Sequence, residues 1–212
     1  MVNSEQPRQN PDIVLFDLFD LFGVIACHQS AEGKDRLVEA ADAPGPASAF
    51  WKAYWDLRPD YDRGDVDGPG YWGRMARALG ARFDDRRVAA LVEADIASWS
   101  AVDAAMVSLV AELADSGRTV ALLSNIPEEL AAHYEAEQPW FGRFRVRGLS
   151  CRIGHAKPEE GAYLWCREAL GADAGRILFV DDREENVRAA EGTGMRGHVF
   201  TSRDRLVRAL GR

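Results

Sequence analysis

No stretch of the chain approaches the roughly 18 uninterrupted apolar residues of a membrane-spanning helix. Membrane insertion is therefore not expected. The segment Met1 to Pro11 is polar, carries Glu5 and Arg8, and lacks the apolar centre of a secretory leader. Residues 1–11 are read as a flexible lead-in. Cysteine is scarce. Cys27, Cys151 and Cys166 are far apart and form no CxxC pair, which excludes a disulfide framework and a cysteine zinc site. They are read as small buried hydrophobes, and the expected location is the cytoplasm. Positive charge is also short, with a net charge of −8. That balance argues against nucleic acid or an anionic membrane surface as partner. No G-x-G-x-x-G follows the first apolar run, so a dinucleotide site is a poor reading. No repeat of solenoid length is visible.

What is present suits a globular α/β protein. Hydrophobic residues make up 47% of the chain, enough for a buried core. Ile13-Val14-Leu15-Phe16 is a continuous apolar run, the pattern of a strand buried on both faces in a parallel sheet. Similar runs recur at Thr119 to Leu123, Arg176 to Val180 and Gly197 to Phe200, with a weaker one from Phe144 to Leu149. Helical patterns lie between them. Ser100-x-x-Asp103 reads as a capping box ahead of the stripe Met106, Leu109, Val110, Leu113. Gly117 and Gly171 sit where helices stop, and Pro127 and Pro158 where helices begin. Strands alternating with helices predict a parallel sheet flanked by helices. The stretch from Ala31 to Trp99 breaks the alternation. It shows no strand pattern and has turn clusters at Ala43-Pro44-Gly45-Pro46 and Asp67-Gly68-Pro69-Gly70. It reads as a helical insertion.

Four spots fall at or just past strand ends, where ligands bind in open α/β sheets. The first is Asp17-Leu18-Phe19-Asp20-Leu21-Phe22-Gly23-Val24, a tandem tripeptide closed by a glycine that permits close backbone approach. The second, Ser124-Asn125-Ile126-Pro127, joins a hydroxyl and free N–H groups at a helix start, a ready anion site. The third is His155-Ala156-Lys157-Pro158, notable because lysine occurs only at Lys34, Lys52 and Lys157. The fourth is Asp181-Asp182 followed by Asn186; adjacent carboxylates are costly unless a cation shares them.

In order and context these four spots resemble the haloacid dehalogenase superfamily, in its subgroup with a helical cap after the first strand. The resemblance implies a Rossmann-like core at residues 12–30 and 100–212 and a cap at 31–99. It implies a hydrolase with Asp20 as nucleophile. Ser124, Lys157 and Asp181 complete the catalytic set, and Ser124, Asn125 and Lys157 hold the substrate. Mg²⁺ is implied at the Asp20 carboxylate, the Phe22 carbonyl and Asp182, with Asp181 in support. The implied partner is a small phosphate ester, and the oligomeric state is left open.

Two features depart from the pattern. Family phosphatases usually carry a second Asp two residues after the nucleophile; here Phe22 stands there. Halide leaves without a proton, so Phe22 favours a dehalogenase, whereas Asp181-Asp182 favours a metal-dependent phosphatase. A weakly active regulatory relative is the third reading. The tandem tripeptide also leaves register open: the glycine turn favours Asp20, while Asp17 follows the cleaner apolar run. In the inserted segment, Phe50, Trp51, Tyr54, Trp55, Leu57, Tyr61, Tyr71 and Trp72 are expected chiefly in the cap interior and its seam with the core, a minority facing the cleft. Arg58 and Arg63, beside Tyr61 and Asp62, are read as a polar loop.

Overall fold

The computed structural model describes residues 16–211. The expectations for residues 1–11 and for Ile13-Val14-Leu15 lie outside them. The described chain begins with strand β1 (Phe16–Phe19) and continues through helices α1 (Ala31–Ala41), α2 (Ala47–Arg63), α3 (Gly68–Ala78) and α4 (Asp85–Trp99). Then come α5 (Ala104–Asp115), β2 (Thr119–Ser124), α6 (Glu128–Glu137), β3 (Val146–Leu149), α7 (Ser150–Ile153) and α8 (Glu160–Leu170). The chain closes with β4 (Ile177–Asp181), α9 (Glu184–Gly192), β5 (Arg196–Val199) and α10 (Arg203–Ala209). The five strands form one parallel sheet in the order β3-β2-β1-β4-β5. The order reverses between β1 and β4, and such a switch point opens a crevice at the carboxyl ends of the strands.

The strand pattern of alternate faces explains the core. Leu18, Ala121, Leu123, Ile177 and Phe179 pack on one side with Tyr163, Cys166 and Val187 of α8 and α9. Phe19, Val120, Leu122, Leu178 and Val180 pack on the other with Met106, Leu109 and Leu130 of α5 and α6. The weak run at 144–149 supplies an edge strand, β3. Residues 31–99 form four helices joined by short connections, with no strand, around their own apolar centre of Leu37, Phe50, Tyr54, Tyr71, Trp72 and Leu91.

Several local expectations are corrected. Asp103 itself caps α5, accepting from the N–H groups of Ala105 and Met106, while Ser100 closes α4; there is no capping box. Pro127 is the residue before α6, and Pro158 precedes the cap residue Glu159 of α8, so neither occupies the first helical position. Gly68-Pro69-Gly70 is the first turn of α3 rather than a loop, because the Asp67 side chain accepts from the Gly70 N–H and Pro at that position lacks only an N–H the helix does not use. Only Cys166 is buried; Cys27 is exposed and Cys151 intermediate. Among the described residues no helix is long and apolar enough to cross a membrane.

Asp17 lies inside β1 and is fully buried. A lone buried carboxylate is costly, and Arg118, just before β2, answers it with two hydrogen bonds of 2.6 Å. This forked pairing leaves Asp17 committed to the sheet. Arg118→Ala should lower the unfolding free energy by roughly 3 kcal/mol, because it strands the buried charge. Urea denaturation should show this as an earlier midpoint, with Asp17→Asn costing less.

Candidate active site

Two neighbouring strands, β1 and β4, deliver the acids to the crevice. Asp20 follows β1, and its N–H donates to the Val180 carbonyl at 2.8 Å, which prolongs the ladder and fixes where the carboxylate emerges. Asp181 ends β4 and Asp182 comes next. The loop between α7 and α8 brings in Lys157, whose side chain is only 2% exposed and whose Nζ lies 2.6 Å from Asp20 Oδ1 and 2.7 Å from Asp181 Oδ2. Asn125 holds that loop: it accepts from the Lys157 N–H at 2.8 Å, and its Nδ2 donates to the Lys157 carbonyl at 2.9 Å. The residue after β2 therefore sets the position of the lysine.

The three acids differ in their surroundings. Asp20 Oδ1 also accepts from the Leu21 N–H at 2.6 Å. Asp181 is buried and already engaged: Oδ1 accepts from the Arg183 N–H at 2.8 Å, and Asn186 Nδ2 reaches both oxygens at 3.0 and 3.1 Å. Asp182 is less buried, and its ion partner is the exposed His28, with Nε2 at 3.3 Å. Burial pushes the Asp20 carboxyl up to about 7; Lys157 opposes the rise and Asp181 adds to it. Burial, and then Asp181, also raise Asp182. Burial disfavours the Lys157 ammonium, but Asp20 and Asp181 outweigh it and hold its pKa above the ordinary lysine value.

Asp20, Asp181 and Asp182 each present an oxygen within 4.8 Å of the others. An all-oxygen cluster with excess negative charge matches the donor preference of Mg²⁺, which binds through one or two carboxylates and keeps several waters. The residues present therefore fit such an ion. Gly23 makes the approach possible. Its φ is +82°, and a Cβ there would stand 2.4 Å from Asp182 Oδ2.

A cavity of about 550 Å³ opens over these groups. Asp20, Phe22, Asn125, Lys157 and Asp182 line it from the sheet side, and Trp55, Arg58 and Asp62 from α2. The structure thus brings together six of the seven predicted site residues, with Asp181 just beneath, bonded to Lys157. Ser124 is the exception. It ends β2 as predicted, but it is fully buried, does not line the cavity, and its Oγ has no hydrogen-bond partner.

Arg58 and Arg63 belong to α2, not to a polar loop. The sequence Arg58-Pro59-Asp60 reads like a turn, yet Pro59 sits inside the helix. Arg58 is buried at the cavity edge, bonded to Asp62 Oδ1 at 2.6 Å, to Asp95 Oδ2 at 3.0 Å and to the Tyr54 hydroxyl. Sequence reasoning missed His28 and Asp95; neither falls in a motif or an apolar period that would single it out.

Comparison with known proteins fits this arrangement. The profile of the haloacid dehalogenase-like hydrolases matches residues 18–194. The chain belongs to that family of hydrolases. Sesquiterpene phosphatase astK of Aspergillus oryzae is 35% identical over 104 residues, 47% of this chain and 50% of that protein. The match thus spans about half the length of this curated relative. The HAD family enzyme bt-2542 of Bacteroides thetaiotaomicron, solved with magnesium and inorganic phosphate, superposes with a TM-score of 0.72 at 18% identity, covering 91% of this chain and 98% of that one. The L-2-haloacid dehalogenase of Xanthobacter autotrophicus, solved with chloropropionic acid covalently bound, gives 0.65 at 20% identity, covering 94% and 83%. These two likenesses establish a shared fold.

Gly23→Ala should cost roughly 1–3 kcal/mol, since a side chain is strained at this φ and Asp182 must shift to admit it. A lower thermal midpoint with unchanged helix content would show this; an unaltered midpoint would contradict the close approach.

Proposed function

We propose that this hydrolase is a Mg²⁺-dependent phosphatase that cleaves a small phosphorylated metabolite through an aspartyl-phosphate on Asp20. One observation carries the reading: Asp20, Asp181 and Asp182 cluster at the floor of a cavity, with a buried lysine bonded to the first two. The names of two relatives, a sesquiterpene phosphatase and an enzyme solved with magnesium and inorganic phosphate, support it. Asp20, the Phe22 carbonyl and Asp182 would hold the ion, which supplies positive charge to the phosphoryl oxygens.

The chain's own residues do the rest. Lys157 orients the Asp20 carboxylate and balances phosphoryl charge. The Asn125 N–H holds phosphoryl oxygens; the Ser124 hydroxyl, unpartnered but sealed off from the cavity, reaches them only if the end of β2 shifts when substrate binds. Asp181, saturated by Lys157, Asn186 and the Arg183 N–H, positions the lysine. Asp20 attacks phosphorus, forming an Asp–O–P bond as the ester P–O bond breaks in line. With Phe22 where a second acid would stand, the leaving oxygen takes its proton from solvent. Water then attacks phosphorus, the Asp–O–P bond breaks, and inorganic phosphate leaves. The helices of 31–99 act as a cap over the core of 12–30 and 100–212 and exclude bulk water.

A second reading rests on Phe22. Attack of Asp20 on the carbon of a 2-haloacid would release halide with no proton required, the chemistry of the dehalogenase neighbour. Against it, Asp181 and Asp182 would repel an anionic haloacid unless a cation balanced them. Halide release from 2-chloropropionate without metal would select this reading; Mg²⁺-dependent hydrolysis of p-nitrophenyl phosphate selects the phosphatase.

Asp20→Asn should lower turnover of p-nitrophenyl phosphate by roughly 10⁴-fold or more. Asp17→Asn, checked to be folded, should retain it, because Asp17 is bound to Arg118. Aryl and acyl phosphates should exceed alkyl esters by roughly 10²-fold, the typical scale of general-acid help. Phe22→Asp should gain most on alkyl esters, and equal wild-type rates on both groups would show that position 22 is irrelevant.

A further inference from the structure

The cavity has two unlike walls. Its floor holds the carboxylates and Lys157. One side is aromatic: Phe22, two residues beyond Asp20, packs on Trp99 with ring centroids 4.9 Å apart, and Trp99 meets Trp55 edge to face at 6.2 Å. All three line the cavity. Trp55 is 48% exposed, and among the described residues only it and Val199 are large hydrophobics left open to solvent. Its neighbours on α2 follow another logic: Phe50 and Tyr54 are buried in the helical unit's own centre. Exposed tryptophan beside a reaction centre, rather than on an outer surface, marks a binding wall.

The cations around the cavity are already matched. Arg58 pairs with Asp62 and Asp95, and Arg63 with Asp65 and with Glu159 at 2.8 Å. Arg183 pairs with Glu185, and Lys157 with Asp20 and Asp181. Beyond the reaction centre, then, a second anionic group on the substrate would find no unpaired cation in this lining.

We infer that the organic half of the substrate is an uncharged apolar group that packs on the wall Phe22–Trp99–Trp55, with Trp55 as the specificity-determining residue. A polyhydroxylated sugar can lay only its C–H face on these rings, and its hydroxyls need hydrogen-bond partners that the three ring faces do not supply, so it gains less from the wall than an apolar group of the same size. This deepens the phosphatase reading and rests on it.

Cyclohexylmethyl phosphate and glucose 6-phosphate separate the two ideas, because both are primary alkyl esters on a six-membered ring and differ little in leaving group. The wild-type enzyme with Mg²⁺ should prefer the first by about tenfold or more in kcat/KM, the scale expected for burying part of a ring. Trp55→Ala should lower that ratio by about tenfold, mainly through KM, and Trp55→Phe should largely restore it. A purely structural role for Trp55 would reduce both esters together and leave the ratio fixed, which overturns the inference. So does a wild-type ratio near one. Calorimetric titration with cyclohexylmethyl phosphonate and glucose 6-phosphonate covers the case in which neither ester is hydrolysed: a binding preference for the first that Trp55→Ala abolishes keeps the apolar wall and rejects the phosphatase reading, and no preference rejects the wall.

Discussion

The site depends on one buried ammonium. Lys157 Nζ sits between Asp20 and Asp181 at 2.6 and 2.7 Å with almost no exposure to water. At such distances in a low-dielectric crevice, three charges set one another's position and protonation. Remove the lysine and two buried carboxylates face each other without a counter-charge. Remove either acid and the lysine keeps only one of its two anionic partners. Asn125 and Asn186 then appear as the groups that keep the arrangement rigid, one clamping the lysine's backbone and the other engaging Asp181.

The fold supplies the reason these groups can meet. A parallel sheet ends its strands on one side, and a reversal of strand order beside β1 leaves room there. Asp20 and Asp181 come from strands that are neighbours in the sheet and more than a hundred and fifty residues apart in sequence. The first part of that interval, residues 31–99, holds helices with their own apolar centre, inserted just after β1. Those helices turn a shallow groove into a cavity with a defined chemical character.

Much of this was legible in the sequence, because the signals were local and redundant. Three apolar runs and a weaker fourth marked β2 to β5, since strands packed in a sheet favour apolar residues, whereas the first run meets β1 only at Phe16 and otherwise lies outside the described residues. Asp181 and Asp182 were legible because they stood at the end of such a run and Asp20 because a glycine turn followed it; Lys157 was legible as one of only three lysines, yet it lies in the loop between α7 and α8 rather than at a strand end. The register of the tandem tripeptide was settled by a contact between distant residues: only the pairing of Asp17 with Arg118 explains how the first acid can be buried inside β1. Arg58 was misread because Pro59 suggests a turn, whereas tertiary packing of α2 carries the proline within a helix. Ser100 and Asp103 looked like a capping pair, but the chain begins its helix at the second of them. Trp55 stood in a crowd of aromatics whose spacing fits burial, and only the packed helices show which ring is left open to the cavity.

The most direct measurement is mass spectrometry of the protein quenched in acid during steady-state hydrolysis of acetyl phosphate with Mg²⁺. The peptide containing residues 17–22 should carry one phosphoryl group, placed on Asp20 by fragmentation and lost on hydroxylamine treatment. A phosphoryl group on Asp17 or on any other residue would contradict the account, as would steady turnover in an Asp20→Asn variant.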